Sequence, residues 1–246
     1  MNGIDYLVKD IHQADYLVCI TGLNMIREMK MRHYKDSEKA YEVELSYGES
    51  PEELYSAQCF NTRPEAFYRF YREEMLKHTD TEPGKAFYAL AAIQKKGYIK
   101  SILTKEIYNM LQKAGCQKVF SLHGNIYEHN RCTHCGKEFP VEYLMKSDKV
   151  PLCDQCEGII HPGTTLMGEM VSNYLASRAA EEVSKADLLL VVGANLKASI
   201  CREYIQYFQG DKLILINPEE HYSDNVADTV FHERLEDFLP RLAEKL

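Results

Sequence analysis

The sequence predicts an α/β fold: a doubly wound, mostly parallel Rossmann-type sheet that carries a small inserted zinc-ribbon module. Three observations predict it. Short runs rich in Val, Ile and Leu recur with little alternation, as expected of parallel strands buried on both faces. Helical patterns separate most of these runs, the alternation of a doubly wound sheet. The stretch 125–165 interrupts that alternation, lacks long apolar runs, and gathers four cysteines.

Taken in order, the first strand is Tyr16–Ile20, which leads into the turn Thr21-Gly22-Leu23-Asn24-Met25. Residues 27–62 follow as a polar, Tyr-containing helical insert with weak periodicity. Pro64–Lys77 starts with proline at a first-turn position, where the missing N–H costs nothing, and spaces Phe67, Phe70, Tyr71 and Met75 as one helix face. Together with Phe60 and Tyr68 this aromatic run reads as core. Lys85–Lys96 is the next helix, then strand Ile99–Leu103, helix Glu106–Lys113 and strand Lys118–Leu122. Beyond the cysteines come helix Val171–Ser184, strand Leu188–Val192, helix Ser199–Gln209, strand Leu213–Ile216 and a closing amphipathic helix, Arg234–Leu246. The expected domains are therefore 1–124 plus 166–246, a Rossmann-type unit, and 125–165, the zinc module.

Composition excludes several classes. Lys+Arg is 29 against Asp+Glu 37, a formal charge of −8, which argues against a partner that presents a phosphate backbone. The longest uncharged runs, Tyr16–Ile26 and Gly158–Gly168, are eleven residues each, short of the roughly 18 a membrane span needs. The first twenty residues carry Asp5, Lys9, Asp10 and Asp15 and show no basic start followed by a clean apolar stretch. The expectation is a cytoplasmic protein with neither nucleic-acid nor membrane partners.

The eight cysteines divide into two sets. Cys19, Cys59, Cys116 and Cys201 are scattered, and Cys19 lies in a strand, which suits an inert buried thiol. Cys132, Cys135, Cys153 and Cys156 form paired CxxC motifs with a spacer of seventeen residues, the spacing of a tetrahedral zinc site. Four thiolates complete the metal's shell and leave no position for water, so the zinc is expected to be structural. His129 and His134 read as exposed polar residues.

Two further positions invite a functional reading. Gly22 lies in the turn after the first strand, where doubly wound folds hold phosphates, although a single glycine also suits an ordinary turn. His123 ends the strand Lys118–Leu122 and precedes Gly124. It reads equally as a general base at a ligand crevice or as a structural histidine.

The order strand, Thr-Gly turn, long insert, strand-Thr104, strand-His123-Gly124, paired CxxC, Gly168-Glu169, strand-Gly193, strand-Asn217 resembles the sirtuins, from about Asp15 to Leu239. Ser121-Leu122-His123-Gly124 and the four-cysteine module carry most of the resemblance. Phe67-Tyr68, Ala114-Gly115 and Asp187–Gly193 support it. The resemblance implies an NAD-dependent protein-lysine deacylase, or an ADP-ribosyltransferase, acting on an acylated protein or peptide. It implies that His123 is the base, that Thr21, Gly22, Tyr34, Lys35, Thr104, Gly193 and Asn217 bind the cofactor, and that Thr165, Leu166, Met167 and Gly168 line the substrate channel. The four clustered cysteines would hold the zinc.

The departures from the family pattern are concentrated in its ligand loops. The family's Gly-Ala-Gly-Ile-Ser is here Gly22-Leu23-Asn24-Met25-Ile26, and its Thr-Gln-Asn-Ile-Asp is Thr104-Lys105-Glu106-Ile107-Tyr108. Gly-Thr-Ser becomes Gly193-Ala194-Asn195. A carboxylate placed roughly 5 Å from a pyrophosphate costs on the order of 3 kcal/mol at an effective dielectric of about 20. Lys105, Arg27 or Lys35 would have to offset it. The sequence thus predicts a divergent member with weak or lost NAD-dependent activity, kept as a binding scaffold for a protein or an altered ligand. The alternative is an active deacylase that uses His123.

Overall fold

The computed structural model of the protein describes residues 3–34, 36–146 and 148–246. Contacts divide the chain into two compact units. One comprises residues 1–31, 82–122 and 172–246, the other 32–81 and 123–171.

The first unit is built on six parallel strands: β1 (Leu17–Thr21), β2 (Ile99–Thr104), β3 (Val119–Ser121), β4 (Leu188–Val192), β5 (Lys212–Ile216) and β6 (Thr229–Phe231). Their order is β3-β2-β1-β4-β5-β6, the doubly wound arrangement. Every residue of β1 and β4 is buried, which explains why these runs lack alternation. On one face Val18, Ile20, Leu189 and Val191 pack with Ala179 and Val183 of the helix Asn173–Lys185 and with Ile200 and Cys201. On the other face lie the helices Lys85–Lys95 and Leu235–Lys245, which pack on each other. Strand order reverses between β1 and β4. In sheets of this kind ligands are taken beyond the strands' carboxyl ends at such a switch point.

Two elements of this unit differ from expectation. The helix expected over Glu106–Lys113 is confined to Met110–Lys113. Asn109 takes a left-handed conformation (φ 55°), and the Glu106 carboxylate accepts the amides of Tyr108 and Met110, so side-chain bonds replace the first helical turn. Strand β6 comes from Thr-Val-Phe after a polar loop, a run too short to carry a strand signal.

The second unit contains the helices Ser37–Tyr47, Pro51–Leu54, Ala57–Thr62 and Pro64–Phe70. Ser50 and Glu53 form a capping box at Pro51, and Ser56 caps the next helix through the amide of Cys59. The helix expected over Pro64–Lys77 keeps its axis but widens to a π turn at Tyr71–Met75 and tightens to a 3-10 turn at Leu76–His78. Phe60, Phe67, Tyr68, Phe70 and Tyr71 are buried, and Tyr55, Phe67 and Tyr71 stack nearly parallel. An antiparallel three-stranded sheet, Glu138–Phe139 beside Asn130–Cys132 beside Ile160–His161, carries the cysteines.

No helix among the described residues is long and apolar enough to cross a membrane.

Candidate functional site

The cysteine centre follows from two tight turns. Cys132 ends a strand, and Gly136 (φ 74°) turns the chain after Cys135. The amides of His134 and Cys135 point at Cys132 Sγ (3.4 and 3.5 Å), and that of Gln155 points at Cys153 Sγ (3.4 Å). Amide hydrogen bonds, that from Cys135 foremost, hold the Cys132 thiol below its ordinary value, the direction a metal-binding thiolate requires, whereas hydrogen bonding among the clustered sulfurs raises Cys156 against the Gly158 amide. Cys132 and Cys156 sulfurs are 3.4 Å apart and those of Cys135 and Cys153 3.6 Å; all four lie within 4.8 Å of one another. A tetrahedron with Zn–S near 2.3 Å has edges of about 3.8 Å, so this donor set fits zinc. A Cβ on Gly158 would come within 2.7 Å of Cys132 Sγ, so only glycine lets the second turn close on the first. His129 and His134 are exposed, as expected, and His129 meets Glu138 rather than the sulfurs.

In the first unit, Thr21 ends β1, Thr104 ends β2, Gly193 follows β4 and Asn217 follows β5. The sheet thereby brings Thr21, Gly22, Thr104, Gly193 and Asn217 to one edge. What they do there is largely internal. Thr21 Oγ1 donates to the Leu103 carbonyl, and Thr104 Oγ1 accepts from the Glu106 amide. A Cβ on Gly22 would lie 2.3 Å from Ala194 Cβ and 2.5 Å from the Gly193 carbonyl, so neighbouring backbone fills that space. The amides of Gly22, Asn24, Met25, Ile26 and Arg27 all donate to protein carbonyls at 2.8–3.2 Å.

The substituted position Asn24 is itself buried and joins a side-chain network. Its Nδ2 donates to Asn217 Oδ1 (2.9 Å), and its Oδ1 accepts from Arg27 Nη1 (3.1 Å). Asn217 Nδ2 in turn donates to the Glu219 carbonyl (2.7 Å). Lys105 does not offset Glu106: it pairs with Glu203 at 2.8 Å. Burial lifts the Glu106 carboxyl to about 7, against the amides of Tyr108 and Met110 and the charge of Lys113. Amides engaged by carbonyls, a side chain filling the turn and an enclosed carboxyl fit a dinucleotide pyrophosphate poorly. The Asn24–Asn217 pair joins residues 193 positions apart, so only the identity of Asn24, not its bond, was visible in the sequence.

In the second unit, the carbonyl of His123 accepts the amide of Thr165 (2.9 Å), and Gly124 (φ 66°) bridges Thr164. The far end of the same segment pairs with the insert. Met167 donates to the Tyr55 carbonyl and accepts from the Ala57 amide, both at 3.0 Å, while Tyr55 Oη donates to Thr164 Oγ1 (2.7 Å). The structure thus sets Thr165 beside the His123 backbone, while farther along the same segment Leu166 is buried, Met167 is exposed and pairs with the insert, and Gly168 (φ 90°) is exposed in the turn that ends it. Tyr34 packs on His33 and Tyr55, with ring centroids 4.3 and 5.6 Å away. Burial raises the Tyr34 phenol. Lys35 lies outside the described residues.

A sequence model described as the Sir2 family matches residues 31–199. An NAD-dependent protein deacetylase of Clostridium acetobutylicum is 34% identical over 236 residues, 96% of each chain. NAD-dependent protein deacylase 1 of Archaeoglobus fulgidus is 30% identical, covering 90% of this chain and 89% of its own. Among solved structures, a Sir2 homolog–NAD complex superposes with a TM-score of 0.85 at 28% identity over 98% of this chain and 92% of that one. Sir2 bound to acetylated peptide gives 0.82 at 27% identity, over 100% and 98%.

Proposed function

The chain belongs to the Sir2 family, and from that premise we propose that it keeps the family scaffold and a structural zinc on Cys132, Cys135, Cys153 and Cys156 while NAD-dependent deacylation is weak or lost. It then acts by binding a protein or an altered ligand. The observation that carries this reading is the buried Asn24 side chain, tied to Asn217 and Arg27 in the turn where a pyrophosphate would approach backbone. The engaged amides of 22 and 24–27 and the enclosed Glu106 support it.

A second reading, an active NAD-dependent protein-lysine deacylase, is favoured by the Clostridium acetobutylicum relative, similar over nearly the whole chain. When bound, NAD would supply an electrophilic ribose carbon, which gives up nicotinamide as it takes the acyl oxygen. On this reading His123 would take the proton from a ribose hydroxyl, Thr21, Gly22, Tyr34, Lys35, Thr104, Gly193 and Asn217 would hold the cofactor, and Thr165–Gly168 would position the acyl-lysine. The experiment that separates the two measures nicotinamide release from NAD with an acetylated peptide. The first reading expects release from the wild type no faster than from His123→Ala. Peptide-dependent release that His123→Ala abolishes would establish the second.

A further inference from the structure

We propose that Glu28 is the positioning residue of the candidate ligand turn, residues 22–27, and that with Glu236 it clamps this turn to the amino ends of the two helices that share one face of the sheet. Glu28 directly follows the single helical turn Asn24–Arg27, and its amide donates to the Asn24 carbonyl at 3.1 Å. Its carboxylate reaches away from that turn. Oε1 accepts the amide of Leu235 at 2.8 Å, and Oε2 accepts that of Glu236 at 3.0 Å. These are the first two amides of the helix Leu235–Lys245, which no carbonyl of the helix itself can satisfy. Glu236 repeats the arrangement one step further on. Its Oε2 accepts the amide of Lys85 at 2.8 Å and its Oε1 that of Ala86 at 3.3 Å, the first two amides of the helix Lys85–Lys95.

Neither helix supplies its own cap. The residue before the first is Arg234, whose side chain carries no acceptor, and the residue before the second is Gly84, which has no side chain. The acceptors come instead from Glu28, 207 positions from Leu235, and from Glu236, 151 positions from Lys85. A helix amino end favours negative charge, so each carboxylate makes a pair of charge-assisted bonds. Packing allows little slack. A Cβ on Gly84 would come within 2.3 Å of Glu236 Oε1 and 2.9 Å of Met29 Cγ. A Cβ on Gly193 would lie 2.9 Å from Leu235 Cδ1 and 3.0 Å from the Met25 nitrogen. The end of β4, the turn and the first residue of the closing helix therefore meet without spare room. A helix cap needs only an acceptor, which any nearby element could provide. Here the acceptor is the residue after Arg27, so its release also frees the carboxyl end of the turn that carries Asn24. The consequence for a ligand rests on the reading, common to both functions above, that this turn is a ligand edge.

The test is native-state amide hydrogen exchange on the full-length protein at rising, sub-denaturing urea. It is read without ligand, so failure of either functional reading leaves it intact. In the wild type the amides of Asn24–Arg27, Leu235 and Glu236 are expected to open with one free energy and one urea slope, as a single cooperative unit. In Glu28→Gln one carboxylate oxygen becomes an NH2 that cannot accept, and exchange of these amides is expected to rise about five- to tenfold relative to the amides of β4. Adding Arg234→Asp to Glu28→Gln gives the closing helix a cap of its own. It is expected to restore protection at Glu236 and to leave Asn24–Arg27 exchanging fast. A rise in Glu28→Gln confined to Leu235 and Glu236, or recovery of Asn24–Arg27 on adding Arg234→Asp, would reduce Glu28 to a helix cap and overturn the proposal. Separate opening free energies for the turn and the helix end in the wild type would overturn it as well, and that result needs no variant.

Discussion

At Glu106 the chain puts a carboxylate at the carboxyl end of β2 and then folds it inward onto two amides. The sequence made the charge visible but not its direction, because whether a carboxylate faces ligand or backbone depends on the chain after it. Here the left-handed Asn109 presents the Met110 amide to it. Burial pushes this carboxyl from 4.5 up to about 7. The native state thus holds the proton more tightly than the unfolded chain. The stabilisation is complete below about pH 4.5 and is lost as pH rises through about 7. Chemical denaturation of wild type and Glu106→Gln should show the stability difference moving in favour of the variant by up to about 3 kcal/mol between pH 4.5 and pH 8. A difference independent of pH would mean that the carboxyl ionises normally. Asn24 was visible as a replaced glycine for the same reason that its consequence was not: hydrogen bonding to Asn217 requires the β1 and β5 ends to be at one edge.

At the scale of elements, the cysteine module was the most legible part of the chain. Its spacing fixed four donors, and the structure places their sulfurs at near-tetrahedral separations. Purified protein should carry about one zinc per chain, and Cys153→Ser with Cys156→Ser should carry none. The variant's melting temperature should fall by about 10 °C, which in a chain of this size corresponds to about 3–5 kcal/mol. Elemental analysis and calorimetry check both; a metal-free wild type with an unchanged melting temperature would contradict the zinc assignment. Elements governed by local side-chain bonds were less legible. The π turn at Tyr71–Met75 sits inside a faultless helical pattern, and β6 owes its existence to pairing with β5 rather than to its three residues. The insert showed weak periodicity because only Val43 of the helix Ser37–Tyr47 is buried.

Across the whole molecule, the parallel sheet and its strand order follow from runs that are apolar on both faces, which is why the fold could be read so early. The sequence drew its module boundary around 125–165, whereas the second compact unit also takes in 32–81. That grouping is made by pairings such as Met167 with Tyr55 and Ala57, which no local pattern encodes. The relatives keep the same architecture, so the scaffold alone does not decide between a working deacylase and a binding protein. The decision falls to the edge of the sheet, where Asn24, Asn217 and Glu106 are turned on each other or on backbone, in a chain whose net charge is −8. Calorimetric titration of the full-length protein with NAD, alone and with acetylated peptide, tests this most directly. The account predicts no saturable binding up to about 1 mM, whereas a dissociation constant near 1 μM, about −8 kcal/mol, would contradict it.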